Sequence, residues 1–313
     1  MRKPANETKP AGAPRRLGVP VAGVSQQVGD GFTAWHFSEE MFGDAMDPLL
    51  MVDHFVMTGP TFAPHLHAGI SAVTVLFEDT QGHFINRDTL GHNLALKAGD
   101  LYWLAAAAGA AHEERPEEGA RVHALQVFVN LPAALRHAPA RALHVRAEEA
   151  AVIRGPGQRI RVVLGRSGET LGAEGTPEEM TLLDGFLEAG ARFAHVLPPG
   201  RQAWLYAVAG ALTVRGAAET CVLPQGHAMT IAAGPQAEIV LEARQPGGVA
   251  ASRRVVGANA PAPSSNAVHF VLMAGRPVRE AMVRHGSRVA SAGAGMQRTL
   301  TRYANDGFLR APT

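Results

Sequence analysis

Apolar positions along the chain come in short runs broken by Gly, Pro, Asp or Asn, and few recur at the 3.6-residue spacing of a helix. Residues 72–77 (AVTVLF), 101–104, 123–129 (HALQVFV), 159–164 (RIRVVL), 204–208 and 269–273 each read as a strand bounded by turn signals. The 34 glycines suit many tight turns. This pattern predicts an all-β chain, a sandwich or barrel, with short helical pieces at 147–151 and 296–303.

A break follows Val129-Asn130-Leu131-Pro132, and a second strand-rich block begins near Val152. The two blocks share a skeleton. The apolar strand that ends at Asp79 has a counterpart ending at Gly210, and the Gly99-led strand has one led by Gly226. The separation from Asp79 to Gly210 is nearly the same as that from Gly99 to Gly226. Near-equal spacing at two landmarks predicts duplication of one β domain. The predicted organisation is a flexible tail (1–16), a first domain (17–135), a connector with a helical turn (136–151), a second domain (152–285) and a partly helical C-terminal segment (286–313). Residues 245–265, rich in Gly, Ala, Pro and Ser, read as a long loop within the second domain.

Charge and cysteine content narrow the function. Twenty-nine Lys+Arg against 28 Asp+Glu leave a formal net charge of +1, without the basic excess that direct nucleic-acid binding needs. A single cysteine, Cys221, excludes an intrachain disulfide framework and thiolate-rich zinc sites. No run is long and apolar enough to span a membrane. The basic, proline-containing tail fits an export signal poorly, so a cytoplasmic protein is expected. A metal would be held by nitrogen and oxygen, and the chain carries 14 histidines.

The sharpest local feature is Ala63-Pro-His65-Leu-His67-Ala-Gly69. Two histidines at i and i+2 on a strand project from one face and can meet one ion. Downstream, His112-Glu113-Glu114 places His112 and Glu114 on one side in the same way. Together they offer three imidazoles and one carboxylate. Imidazole suits iron, copper, nickel and zinc, and the added carboxylate points toward non-haem iron with open positions. An exposed loop also produces a His-x-His pair, and His112 beside two glutamates and Arg115 also reads as a solvated charged run. The joint occurrence in a turn-rich β frame favours the metal site.

The stretches 47–55 (DPLLMVDHF), 64–67 (PHLH) with Gly69, 87–91 (RDTLG), 98–103 (AGDLYW), 109–114 (GAAHEE) and 125–132 (LQVFVNLP) resemble, in order and spacing, the pirin family. The second half resembles it more loosely, through 200–210 and 274–280. The resemblance implies two tandem cupin-type antiparallel β-barrels, a bicupin, with a few short helices. It also implies a mononuclear iron, Fe(II) or Fe(III), or another divalent transition metal, in the first barrel. Carried onto matching positions, the family's ligands are His65, His67, His112 and Glu114, the same four that spacing selects. The Asp79-to-Gly210 offset, applied to the His-x-His pair, falls near Val196 and Pro198. Neither is a ligand, so the second barrel is expected to be metal-free. The chain departs from the family pattern at Ala68 (usually arginine), Ser71 (usually glutamate) and Glu113 (usually serine).

Two functions follow from the resemblance. One is a quercetin 2,3-dioxygenase-type oxygenase that opens a flavonol, a small aromatic substrate, with loss of carbon monoxide; Glu114 is then both ligand and catalytic base, with Glu113 a second candidate base. The other is a non-catalytic, iron-dependent regulator that acts through a protein partner. An apolar pocket over the ligands would favour the first, and a closed polar mouth the second. Elsewhere, His54 reads as structural and His123 as a candidate for the pocket wall. His83 and His92 read as surface residues, Cys221 as a small strand residue, and Trp103 and Trp204 as barrel packing.

Overall fold

Alternation sorts each strand's side chains onto two faces, and both faces are used. In the Val122–Asn130 strand, Val122, Ala124, Gln126 and Phe128 point one way, while Leu125, Val127 and Val129 point the other. A strand apolar on both sides cannot lie on a surface, and here it is the central strand of a sheet packed on both faces. The computed structural model describes residues 16–216, 219–245, 267–280, 283–285 and 288–290.

The first seven-stranded sheet runs, in spatial order, Arg141–Val145, Leu101–Ala105, Ile70–Leu76, Val122–Asn130, Leu49–Met57, Phe32–Ser38 and Val24–Val28. A four-stranded sheet, His65–His67, Ala110–Pro116, Phe84–Asp88 and Asn93–Leu96, closes the first barrel over a core that includes Phe55, Leu76, Phe84 and Tyr102. The second half repeats this order strand for strand. Its large sheet is Val21–Ala22, His227–Ile231, Gln202–Ala209, Val268–Gly275, Met180–Leu187, Gln158–Leu164 and Ala151–Gly155. Its small sheet is Arg192–Leu197, Ala237–Ala243, Leu212–Gly216 and Glu219–Leu223. The chain is a bicupin.

The large sheets pack face to face. Val73, Trp103, Leu125 and Val127 of the first meet Leu182, Trp204, Val271 and Met273 of the second in one buried cluster. The two tryptophans therefore pack between the barrels.

Each large sheet is finished by a strand from outside its own half. Residues 136–151 supply Arg141–Val145, which pairs with Leu101–Ala105 of the first barrel. Val21–Ala22, from before the first barrel, pairs with His227–Ile231 of the second. Leu17 anchors that exchange. It is 2 % exposed within the second barrel's core, and next to it Gly18 N–H donates to the Thr230 carbonyl at 2.8 Å. Leu17→Ala is expected to destabilise the protein by about 2–5 kcal/mol, read as a lower denaturant midpoint; an unchanged midpoint would mean this edge strand is dispensable.

Helix is scarce among the described residues: one turn at Glu39–Phe42 and two 3₁₀ turns at Gly43–Ala45 and Ala147–Glu149. The helical piece expected over 147–151 stops at Glu149 because Ala150 is drawn into the inter-barrel core and Ala151 begins a strand. The piece expected over 296–303 lies outside the described residues, as does most of the loop expected over 245–265. No described helix is long and apolar enough to cross a membrane.

Candidate metal centre

The His65–His67 and Ala110–Pro116 strands pair antiparallel, with His65 opposite His112 and His67 opposite Ala110. That register brings together two motifs far apart in the chain. The three rings form a near-equilateral triangle: centroids are 4.8 Å apart for His65–His67, 4.9 Å for His65–His112 and 4.8 Å for His67–His112. Candidate ligand nitrogens from the three residues lie within 4.8 Å of one another. His65 Nδ1 bonds the Ala63 carbonyl at 2.9 Å, which leaves its Nε2 lone pair for the cluster. His67 Nε2 and His112 Nε2 are 2.9 Å apart. Burial, reinforced by the neighbouring His65, pushes the His112 pKa down to about 3, so at neutral pH this imidazole is uncharged and keeps a lone pair. Three convergent imidazoles fit a borderline transition metal and do not fit Mg²⁺ or Ca²⁺.

Glu114 is buried in the same pocket but stands apart from the triangle. Its Oε1 accepts from the Thr74 hydroxyl at 2.6 Å, and its Oε2 is 4.0 Å from His112 Nδ1. Burial pushes its pKa up to about 7, with the Thr74 bond working against the rise. Glu113, one residue earlier, is half-exposed on the outer face. Ala68 and Ser71 are both buried, so neither replaces the family's charged group with another on the rim.

Over the triangle opens a cavity of about 190 Å³. Phe32, Phe55, Phe62, Phe84, Phe128, Met51 and Met57 form most of its wall, and Asp53, Gln126 and Glu114 are its polar lining besides the histidines. The pattern of short apolar runs did not single out these phenylalanines, which come from five separate segments. Asp53, Gln126 and Thr74 were also missed. Thr74 and Gln126 were visible only as lone polar positions inside AVTVLF and HALQVFV.

His123 is not on the pocket wall. It occupies an odd position on a strand whose even positions face the cavity, and it points between the barrels. There its Nδ1 meets Asp79 at 2.7 Å and its Nε2 meets His54 Nε2 at 2.6 Å; His54 Nδ1 in turn meets the Tyr206 hydroxyl at 2.6 Å. His54 is thus structural, a link between the barrels. His83 pairs with Glu117 at an exposed site, and half-exposed His92 pairs with Asp88. Cys221 is a half-buried strand residue.

In the second barrel, strand register replaces the simple offset. Arg192–Leu197 pairs with Ala237–Ala243 so that His195 faces Ile239 and Leu197 faces Ala237. The positions equivalent to His65, His67, His112 and Glu114 are therefore His195, Leu197, Ile239 and Leu241, not Val196 and Pro198. The turn before Gly200 holds two residues, Pro198 and Pro199, where the turn before Gly69 holds only Ala68, which shifts the count by one. His195 is buried against Ser167, its Nδ1 3.0 Å from the hydroxyl, and burial together with nearby Arg201 pushes its pKa down to about 4.

Two stacked cupin barrels, with a three-imidazole cluster in the first, define a bicupin with a candidate metal centre. The family model described as Pirin matches residues 22–129. A Pseudomonas aeruginosa protein provisionally named quercetin 2,3-dioxygenase is 31% identical over 279 residues, covering 85% of this chain and 88% of that protein. The chain belongs to the pirin family. The crystal structure of a quercetin 2,3-dioxygenase from Acinetobacter baumannii superposes with a TM-score of 0.78 at 24% identity, covering 96% of this chain and 99% of that one. A bacterial pirin from Escherichia coli in complex with nickel(II) superposes with a TM-score of 0.57 at 16% identity, covering 83% and 98%.

Proposed function

We propose that this chain is a metal-dependent oxygenase that acts on a flavonol or a closely related aromatic. The observation that carries this reading is the cavity: a wall of phenylalanine and methionine side chains opens directly onto the three-imidazole triangle. A regulator that turns nothing over needs a metal but no room for a flat apolar ligand beside it. The P. aeruginosa and A. baumannii relatives carry the quercetin dioxygenase name, which supports the same substrate class.

His65, His67 and His112 would hold the metal, with Glu114 as the carboxylate that completes the set. Iron is the proposed ion; that the E. coli pirin was solved in complex with nickel(II) supports a divalent transition metal. Such an ion supplies Lewis acidity toward a substrate oxygen and redox chemistry toward dioxygen. The rest falls to the protein. The phenylalanine wall takes up the flat ring system and excludes water. Glu114 accepts the proton of the substrate's hydroxyl when its carboxylate turns from the metal, and the Thr74 hydroxyl holds the carboxyl in place to receive it. The segment 17–135 is proposed to act as the metal-bearing domain and the segment 152–285 as its metal-free partner.

The test is aerobic incubation with quercetin, with metal content determined on the same sample. Loss of flavonol absorbance that stops on chelation and returns with iron is the expected result. A metal-replete protein that leaves quercetin intact would sink the oxygenase reading and favour a regulator acting on a protein partner.

A further inference from the structure

A line of polar side chains crosses the inward face of the first barrel's large sheet. His36, Asp53, Gln126 and Thr74 stand directly opposite one another on four neighbouring strands. Their inward neighbours on the same strands are apolar: Met51 and Phe55 flank Asp53, and Ala124 and Phe128 flank Gln126. Asp53 and Gln126 both line the cavity over the imidazole triangle.

The hydrogen bonds of this line do not close on themselves. His36 Nδ1 bonds Asp53 Oδ1 at 2.6 Å, which leaves Oδ2 without a partner among the described residues. The Thr74 hydroxyl has one proton to give. Glu114 Oε1, at 2.6 Å, takes it ahead of Gln126 Oε1 at 3.1 Å. Gln126 Nε2 is buried without a partner. Turning the amide over would pair Nε2 with Thr74 and leave Oε1 bare instead, so one polar end of Gln126 is unpaired in either orientation. A buried amide end left unpaired carries a desolvation penalty that a ligand can remove.

We propose that Asp53 and Gln126 form a hydroxyl-binding subsite. It selects aromatic ligands that carry a ring hydroxyl and fixes their orientation against the phenylalanine wall. The hydroxyl donates to Asp53 Oδ2 and accepts from Gln126 Nε2, while His36 holds Asp53 in position as a positioning residue. A ring without a hydroxyl leaves both groups unpaired, and an aromatic carboxylate meets the Asp53 charge. The inference rests on the reading of this cavity as the substrate site and adds which group of the substrate is recognised away from the metal ligands.

The test is calorimetric titration of the full-length protein, its metal content measured on the same sample, with 4-nitrophenol and with nitrobenzene, which lacks the hydroxyl. At a pH of about 6, where the phenol is un-ionised, the parent is expected to prefer 4-nitrophenol by about tenfold or more. Asp53→Asn and Gln126→Leu should each cut that preference to about threefold or less and leave the affinity for nitrobenzene unchanged. His36→Gln should fall between. Full preference in Asp53→Asn would overturn the proposal, as would a parent that shows no preference or binds neither probe. If Asp53→Asn fails to fold, Gln126→Leu with parental metal content decides by the same ratio. The outcome is separable from that of the oxygenase reading. A protein inert toward quercetin that still prefers 4-nitrophenol through Asp53 keeps the subsite and loses the activity. A protein that consumes quercetin with equal affinity for the two probes does the reverse.

Discussion

A His67→Ala, His112→Ala double variant is expected to keep less than about a tenth of an equivalent of metal after dialysis that leaves the parent fully loaded. Four-ligand structural zinc sites in small peptides, a guide to the scale, bind with apparent free energies of about 10–16 kcal/mol at pH 7. Removing two of four donors forfeits about half of that, a loss on the order of 10⁴–10⁶-fold in affinity. Both residues are almost wholly buried, at 0 % and 4 % exposure. Quercetin consumption should vanish with the metal. The matching control is His195→Ala, which removes the imidazole at the equivalent position of the second barrel and should leave a full equivalent bound. Plasma emission spectrometry on both variants decides the matter; a double variant that retains a full equivalent would put the metal elsewhere.

The second large effect concerns the joint between the barrels. Asp184→Asn is expected to destabilise the protein by about 3 kcal/mol, because it takes the nearest carboxylate from a buried guanidinium and leaves it only Glu78, 3.9 Å away, as an ionic partner. Asp184 Oδ2 is 3.0 Å from Arg161 Nη1, and its Oδ1 is 2.7 Å from His269 Nε2. Arg161 in turn donates through Nη2 to the Gly99 carbonyl of the first barrel at 2.5 Å. Burial by itself would raise the Asp184 pKa, but His269 and Arg161 outweigh it and hold the carboxyl below its ordinary value of 3.8. A carboxylate with a lowered folded-state pKa contributes stability that is present above the ordinary value and is lost as pH falls through the lowered one. Urea midpoints measured from pH 7 down to about 2 should therefore show the parent losing an increment at the acid end that Asp184→Asn lacks throughout. Parallel curves for the two proteins would mean the pair contributes nothing to the pH dependence.

The candidate metal ligands were legible because each motif carries its geometry in its spacing: i and i+2 on a strand share a face, whichever face that is. The phase of the alternation is not written in the same way. His123 and Gln126 lie three apart on one strand, so they must face opposite sides, yet nothing in HALQVFV says which side is the pocket. Both faces of that strand are buried, one in the barrel and one against the second sheet. The duplication was legible at two landmarks, and register confirms both: Val75 pairs with Leu101 as Tyr206 pairs with Ala228. It failed at the ligand positions because one extra turn residue shifts the count there.

Taken alone, the sequence determined the all-β character, the repeat of one barrel and the three histidines that the fold brings into one cluster, since these follow from local periodicity and from residue chemistry. Tertiary structure decided what depends on pairing between distant segments. It placed His65 opposite His112 and turned Glu114 to Thr74. It lined Asp53 and Gln126 up across neighbouring strands and gathered phenylalanines from five segments into one wall. It also sent the Leu17 segment and the Arg141–Val145 strand to finish sheets on opposite halves. Strand register and edge pairing are set by which apolar faces can be buried together, a property of the whole chain that no single stretch of it contains.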